Sequence, residues 1–247
     1  MKVEIMFPEI ANLYGDLQNI EYLKNSSADV EVINDSLTEE PYFVENQPDL
    51  IYMGTMSESS QIIVKDKLLP YKDRILELID NGTHFLITGN GMEIFGTEVR
   101  EKDNVVLEGL NIFPIISIRE MDKRFNSLYL GHFMGAELKP IVGYKSQFTQ
   151  SYWMTSIQSI EPTEGYMFMT ERGTGLNPGI LQEGVLKNNF MATYVIGPIL
   201  VLNPHFTKWL LNDLGEENVQ LQYEEDATAA YEVRLKEYSN PDTGFFY

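Results

Sequence analysis

The stretch LITGNGMEIFG, residues 86–96, decides how the rest of the chain is interpreted. It joins a strand-like run, THFL, to a helix-like run, MEIFGTEV, through a turn that contains two glycines. Enzymes with α/β folds present a nucleophile at the apex of such a strand–turn–helix elbow. Here the centre of the turn is Gly89, where neither Ser nor Cys stands. The stretch therefore predicts an α/β fold whose elbow carries no nucleophilic side chain.

Strand and helix patterns alternate on the N-terminal side of this elbow. The runs KVEIMFP, DVEVIND and PDLIYMG are typical of short strands. DLQNIEYLKN and SESSQIIVKDKLLPYKDRILELIDNG are helical, the second with an interruption at Pro70. We expect Asp16 to cap the first of these helices. A β-α-β-α-β order favours a parallel sheet with helices on both faces.

The second half of the chain has shorter strand-like segments and more turns. The segments between residues 104 and 173 indicate an antiparallel extension of the sheet, and PHFTKWLLNDLG is a closing helix that ends at Gly215. We therefore expect a three-layer α/β/α, flavodoxin-like domain with a mostly parallel central sheet over residues 1–215. Residues 216–247 are expected to form an acidic helix and an aromatic tail, GFFY, packed on or near that domain.

Composition excludes several classes of function. The 18 basic and 37 acidic residues give a net charge of −19, which argues against nucleic acid or an anionic membrane as a partner. The chain has no cysteine, so disulfides, iron–sulfur clusters, thiolate zinc sites and cysteine catalysis are excluded. No apolar run reaches transmembrane length, and the first residues lack the apolar region of a signal peptide. We expect a cytoplasmic protein with no cofactor, no metal and no membrane insertion.

Other candidate side chains have plainer interpretations. Thr88 and Asn90 flank Gly89, but the alternation of side chains directs both away from the apex. No histidine has an acidic neighbour at metal-ligand spacing, and we interpret all three as surface or capping residues. These histidines are His84, His132 and His205. TERGTGLNPG has no strand–helix context and no following lysine, so it is interpreted as a surface loop rather than a phosphate-binding loop.

Six segments between residues 2 and 215 carry a resemblance to a known family: MFPEIANLYGDLQNI, DLIYMGTMSESSQ, LITGNGMEIFG, GLNIF, VGYKSQFTQ and EGVLKNNFMATYVIGPILVLNP. The chain resembles class I glutamine amidotransferase domains of the cobyric acid synthase, or CobB/CobQ, type. Within that type it is most similar to the branch formed by the glutaminase subunit of lipid II isoglutaminyl synthase. The last segment is the most specific match, since it falls on the family's EGV…GTYLHGPLLPKNP.

The resemblance also shows where the chain departs from the family. The family's nucleophilic Cys falls on Gly89, and its base, a His directly before Gly-Pro, falls on Ile196. The substrate-contacting Arg of the family falls on Gln150. With nucleophile, base and substrate contact all changed, the resemblance implies that the elbow has lost its chemistry. Glycine adopts a positive φ without strain, so we predict a positive φ at Gly89.

The family's glycine-rich loop, which supplies an oxyanion-hole amide, is altered as well. In this chain it reads Gly54, Thr55 and Met56, so two glycines are gone. The resemblance therefore implies a vestigial pocket with no catalytic residue and no metal. Its expected members are Gly54, Thr55, Met56, Gly89, Asn90, Gln150 and Ile196.

The resemblance implies a catalytically inactive amidotransferase-like protein that acts as a binding or regulatory subunit. Its expected partner is an ATP-dependent, Mur-ligase-like protein, in amidation of a cell-wall precursor or in a cobyric-acid-synthase-like pathway. Two alternatives stay open. One is an amidotransferase-fold enzyme with a rebuilt, non-cysteine site. The other is a sensor that holds a small molecule in an enlarged pocket near Gly89, Thr55 and Ile196.

Overall fold

The computed structural model describes residues 1–154 and 165–246. The elements up to the elbow are β1 (Lys2–Ile5), α1 (Gln18–Ser26), β2 (Glu31–Asn34), β3 (Leu50–Met53), α2 (Glu58–Leu68), α3 (Lys72–Asp80), β4 (His84–Thr88) and α4 (Gly91–Phe95). The short strands that follow are β5 (Glu98–Glu101), β6 (Asn104–Glu108), β7 (Ile115–Arg119), β8 (Phe125–Phe133), β9 (Ile141–Gln147), β10 (Thr149–Trp153), β11 (Phe168–Arg172) and β12 (Gln182–Glu183). The last elements are β13 (Val185–Lys187), β14 (Phe190–Thr193), α5 (Ile199–Leu202), α6 (Pro204–Asp213) and α7 (Glu224–Ser239).

The central sheet has six strands in the order β13-β14-β4-β3-β1-β2. Every neighbouring pair is parallel except β13 and β14, which are antiparallel. All residues of β3 and β4 are buried, as expected for inner strands covered by helices on both faces. The three-layer α/β/α fold with a mostly parallel sheet is therefore confirmed.

The middle strands form two further four-stranded sheets, with the orders β10-β7-β5-β6 and β12-β11-β8-β9. The antiparallel extension of the central sheet is β13 alone. The other short strands are not part of the central sheet. They form two separate sheets, whose apolar side chains pack on its two faces. Phe113, beside β7, meets Phe190 of β14 with ring centroids 4.8 Å apart, and Phe133 of β8 meets Phe206 of α6 at 5.1 Å.

Two local predictions have opposite outcomes. The interruption at Pro70 is confirmed, since α2 ends at Leu68 and α3 begins at Lys72. The prediction that Asp16 caps α1 is wrong, because the helix begins after Leu17 without a side-chain cap. Asp16 is fully buried and turns toward the elbow instead.

The C-terminal tail docks on its own chain. Leu128 of β8 donates its backbone N–H to the carbonyl of Phe245 at 2.9 Å, and the Phe245 ring is buried. The guanidinium of Arg172 lies 4.1 Å from the centre of that ring and donates to the carbonyls of Asn240 and Thr243 at 2.6 and 2.8 Å. Arg172 thus holds α7 and the tail together. The domain boundary at residue 215 stays a prediction.

A buried pair of carboxyl groups lies under the first two strands. Glu4 of β1 is fully buried, and its Oε1 accepts the N–H of Phe43 at 3.0 Å. Burial and a hydrogen bond with Asp35 raise the pKa of Glu4 to about 9. Glu4 Oε2 and Asp35 Oδ2 are the buried oxygens that lack another partner. One proton shared between the two carboxyls satisfies both, so Glu4 is protonated at neutral pH.

Replacing Glu4 by Gln is expected to flatten the pH dependence of stability. In the native protein the folded state holds a proton that the unfolded state releases, so stability falls as the pH rises from about 4.5 to about 9. The neutral amide has no such loss, and its advantage over wild type should grow by roughly 1 kcal/mol per pH unit. Urea unfolding of both proteins at pH 5 and pH 8 measures this. The exposed Glu45→Gln is the control, and an equal difference at both pH values would contradict the shared proton.

Candidate functional site

The elbow between β4 and α4 has the predicted backbone. Gly89 has φ +60°, which confirms the predicted positive φ. Its N–H donates to the carbonyl of Thr193 at 2.8 Å, so β14 fixes the turn on the side opposite β3. The apex is therefore held at the C-terminal end of β4, in a conformation that favours glycine.

The space above the apex is occupied by a side chain of the loop after β3. A Cβ built on Gly89 overlaps Thr55 Oγ1 and lies 2.8 Å from Thr55 Cγ2. Such approaches are closer than side-chain carbons reach in proteins, so either Thr55 or the turn has to move. Thr55 therefore occupies the space that a side chain at residue 89 would need.

Asp16 holds Thr55 in that position. Its Oδ2 accepts three hydrogen bonds: from the Thr55 N–H at 2.8 Å, from the Thr55 hydroxyl at 2.6 Å and from the Thr88 hydroxyl at 2.9 Å. Burial raises the pKa of Asp16, while these donors act in the opposite direction. The Tyr52 hydroxyl also donates to the Asp16 carbonyl at 2.9 Å. Four bonds to one residue fix the loop against the elbow.

A second connection runs through Asn90. Its side-chain oxygen accepts the N–H of Met56 at 3.0 Å, and its amide donates to the Met56 carbonyl at 2.8 Å. Gln61 of α2 donates to the Asn90 carbonyl at 2.7 Å. The loop and the elbow are therefore joined through both Thr55 and Met56.

Helix α4 buries a charged group beside the elbow. Glu93 accepts from Arg119 at 2.9 Å and from Gln61 at 3.0 Å, and its other oxygen accepts from the Tyr194 hydroxyl at 3.1 Å. The side chain of Glu93 is completely buried, and that of Arg119 nearly so. A buried ion pair of this kind is retained when its remaining hydrogen bonds are also made.

The segment that follows β14 is held by another buried pair. Glu183 accepts from the Tyr194 N–H at 2.8 Å and from the Thr193 hydroxyl at 3.0 Å. Its second oxygen accepts from Lys145 Nζ at 2.7 Å, and both side chains are fully buried. Glu183 thereby positions the chain that leads to Ile196.

A small cavity of about 110 Å³ lies beside Gly89. Four of the predicted pocket residues line it: Thr55, Met56, Gly89 and Asn90. The other lining residues are Leu13, Tyr14, Ser57, Glu58, Glu93, Arg124, Ser146, Gln147, Phe148, Thr149 and Tyr194. The predicted enlarged pocket is not what the structure contains, because Thr55 fills the space above the elbow.

Three predicted pocket residues lie elsewhere. Gly54 packs so closely that a Cβ there would lie 2.5 Å from the Ala11 carbonyl oxygen. Gln150 lies on β10 opposite Ile118. Ile196 is buried and pairs with Tyr144 through two backbone hydrogen bonds of 2.9 and 3.2 Å. None of the three is among the residues that line the cavity.

The three histidines are engaged away from the cavity. His84 pairs with Asp213 at 2.8 Å and His132 with Glu171 at 3.0 Å. His205 donates its Nε2–H to the Lys139 carbonyl at 2.9 Å, and burial lowers the pKa of its imidazole to about 4. Thr88 is buried and donates to Asp16, which leaves it no route to a substrate.

Two further negative results hold for residues 1–154 and 165–246. No cluster of three or more potential metal ligands is present there. None of their helices combines the length and hydropathy that crossing a bilayer requires.

Sequence reasoning missed several residues that line the cavity. Arg124 is one of them, and its guanidinium lies 4.6 Å from the centre of the Phe148 ring. Gln147 is almost fully buried there, and its Oε1 has no partner among the described residues. Tyr14 has φ +59°, a left-handed conformation that is unusual for a bulky residue. In the sequence, the neighbouring Gly15 could have indicated a turn at this position.

A parallel sheet with an elbow after β4, a facing loop after β3 and a supporting segment after β14 is the arrangement of class I glutamine amidotransferases. A solved glutamine amidotransferase superposes on 86% of this chain and 99% of its own with a TM-score of 0.55 and 10% identity. That similarity establishes the fold. No family model matches the chain.

The chain is also similar in sequence to known amidotransferase subunits. Subunit GatD of lipid II isoglutaminyl synthase (glutamine-hydrolyzing) from Staphylococcus aureus is 26% identical over 209 residues, which cover 83% of this chain and 80% of that subunit. The subunit of the same name from Streptococcus pneumoniae is 24% identical over 214 residues, with 82% and 76% covered. GatD subunits are therefore homologues of this chain over most of its length.

Substituting Gly89 by Ala is expected to destabilise the protein by about 2–4 kcal/mol. Part of this cost is the positive φ, about 1 kcal/mol, and the remainder is overpacking against Thr55. In a Thr55→Gly background the overpacking disappears, so the two substitutions should couple by about 1–3 kcal/mol. Urea unfolding of the four proteins of the cycle measures the coupling.

Gly215→Ala is the matched control for this cycle. Gly215 has φ +93°, and a Cβ there meets no atom within 4 Å. It reports backbone strain alone, so its cost should not depend on residue 55. Additive effects of Gly89→Ala and Thr55→Gly would show that Thr55 does not block the elbow.

Proposed function

We propose that this chain is a catalytically inactive amidotransferase-like subunit with a binding or regulatory role. The observation that carries the proposal is Thr55 in the space above Gly89, held there by three hydrogen bonds from Thr55 and Thr88 to Asp16. A nucleophile and its base act as a unit, so a site that lacks both keeps only binding. Here the elbow position has no side chain, and the position expected for the base is the buried Ile196.

The homologues suggest the setting in which such a subunit works. Their name describes a glutamine-hydrolysing subunit of an enzyme that acts on lipid II. We propose that this chain retains a related partner, an ATP-dependent Mur-ligase-like protein, in amidation of a cell-wall precursor. The alternative setting for this proposal is a cobyric-acid-synthase-like pathway. In either case the chain contributes binding rather than ammonia.

A rebuilt active site is the competing proposal. Glu93 and Tyr194 are polar, line the cavity and lie next to Gly89, which favours it. However, Glu93 is bonded to Arg119, Gln61 and Tyr194, and no histidine lines the cavity within the described residues. The sensor alternative has less support, since about 110 Å³ is below the range of about 300–1,000 Å³ usual for small-molecule sites.

The purified chain is expected to release no ammonia from glutamine. The Staphylococcus aureus homologue serves as the positive control in the same coupled assay. The measurement is made on the chain alone and after co-expression with a Mur-ligase-like protein from the same genome, because a partner can order a site. Turnover of about one per second or more would overturn the inactive-subunit proposal. Failure of the two proteins to co-purify would overturn the proposed partner.

Restoring the family's nucleophile and base is expected not to restore glutamine hydrolysis. In Gly89→Cys with Ile196→His, the Cys Cβ overlaps Thr55, and residue 196 does not line the cavity. Adding Thr55→Gly should recover stability but leave activity undetectable, since placement of each donor is worth about 100- to 1,000-fold. Ammonia release and urea unfolding are measured for both variants. Robust hydrolysis by the double variant would show that the rest of the site is intact.

A further inference from the structure

A second cavity lies at the other end of the central sheet, where β4 and β14 begin and α6 ends. It encloses about 330 Å³, within the range of about 300–1,000 Å³ usual for small-molecule sites. None of its lining residues belongs to the cavity beside Gly89. The lining residues are His84, Phe133, Gly135, Leu186, Asn188, Asn189, Met191, Trp209 and Asp213.

The two side-chain amides of this cavity present acceptors. Asn188 Nδ2 donates to the Ile79 carbonyl at 3.1 Å, and Asn189 Nδ2 donates to the Gly82 carbonyl at 2.7 Å. Because a carbonyl only accepts, these bonds fix the orientation of both amides. Their Oδ1 atoms make no hydrogen bond within the described residues. Both amides therefore have a free acceptor oxygen.

The charged group of the cavity is an acceptor as well. Asp213 Oδ2 accepts from His84 Nε2 at 2.8 Å, and Oδ1 has no partner within the described residues. The Asp213 side chain is 42% exposed, whereas that of His84 is 11% exposed. His84 thus orients a carboxylate whose second oxygen is open. Three free acceptors and no Lys or Arg stand among the described lining residues.

One wall of the cavity is aromatic. Trp209 is stacked on Phe206 with ring centroids 5.5 Å apart, and it meets Phe133 at 4.6 Å. Packing on two rings fixes the indole in place. Tryptophan is the aromatic side chain that attracts cations most strongly. The net charge of −19 favours the approach of a cation over the whole surface.

We propose that this cavity binds a guanidinium group. A guanidinium has five donors and no acceptor, it is planar, and it stacks on aromatic rings, so it complements a lining of free acceptors beside Trp209. An ammonium is more strongly hydrated and offers no planar face, and should bind less tightly. The group has two sources, a free small molecule or an arginine side chain of a polypeptide. This proposal goes beyond the proposed function and does not depend on it.

The first test uses the wild-type chain with two ligands of similar shape, of which only one has a guanidinium. L-arginine amide and L-citrulline amide have nearly the same side-chain shape, but citrulline carries a neutral urea. The ¹⁵N–¹H resonance of the Trp209 indole is followed in both titrations, and Trp153→Phe assigns it. We expect a saturable shift with the arginine compound and at least about tenfold weaker binding of the citrulline compound. Equal responses, or none, would overturn the proposal.

The second test compares two variants with the same change in charge. Asp213→Asn removes the carboxylate of the cavity, whereas Asp226→Asn removes an exposed carboxylate on α7 outside it. Asp213→Asn should weaken binding of L-arginine amide about tenfold or more, and Asp226→Asn should leave it unchanged. Equal effects would mean that the ligand responds to net charge, which would overturn the proposal. The comparison of two ligands on wild type stands even if Asp213→Asn folds poorly.

A third titration distinguishes the two sources of the guanidinium. Acetyl-Gly-Arg-Gly-amide presents the side chain within a peptide. Tighter binding of the peptide than of L-arginine amide supports the cavity as a site for an arginine of a polypeptide. Binding of L-arginine amide but not of the peptide supports a small-molecule site. If neither ligand shifts the Trp209 resonance, the proposal is wrong.

Discussion

The fold around the elbow depends on one carboxylate oxygen. Asp16 Oδ2 accepts from the backbone and hydroxyl of Thr55 and from the hydroxyl of Thr88. It thereby joins the loops after β1 and β3 to the last residue of β4. A buried carboxylate costs several kcal/mol unless donors surround it. Three donors on Oδ2 offset part of that cost, whereas Oδ1 is buried without a partner among the described residues, and the donors hold Thr55 in place. The position of Thr55 in turn determines how little space remains above Gly89.

The elbow is supported by groups that lie outside its apex. Thr193 fixes the turn at Gly89, and Glu183 holds the segment that leads to Ile196. These interactions stabilise the C-terminal ends of β4 and β14 whether or not a reaction takes place there. A fold retains such supports because they contribute to stability, while the reacting groups contribute only to function. The presence of these supports therefore reflects the fold and does not by itself indicate an activity.

Sequence alone predicted the parts of this structure that local rules control. The helix break at Pro70 follows from the covalent chemistry of proline. The positive φ at Gly89 was predicted from the elbow context, and glycine adopts it without strain. The role of Asp16 could not be predicted in this way, because an aspartate before a helix is usually a cap. It turns inward here because Tyr14 and Gly15 both have positive φ, which redirects the chain before α1 begins. The contact of Thr55 with the elbow needs two loops placed by the sheet, and no pattern in either loop indicates it.

The docking of the tail has a consequence for strand β8. Strand β11 pairs with β8 only from Leu130 to Phe133, which leaves the backbone of its first half open on that side. The bridge between Ser127 and Phe246 and the bond from Leu128 to Phe245 cover this open edge. An uncovered edge is a template for pairing with another chain, and hence for aggregation. Arg172, by holding the tail in place, keeps this edge of β8 covered.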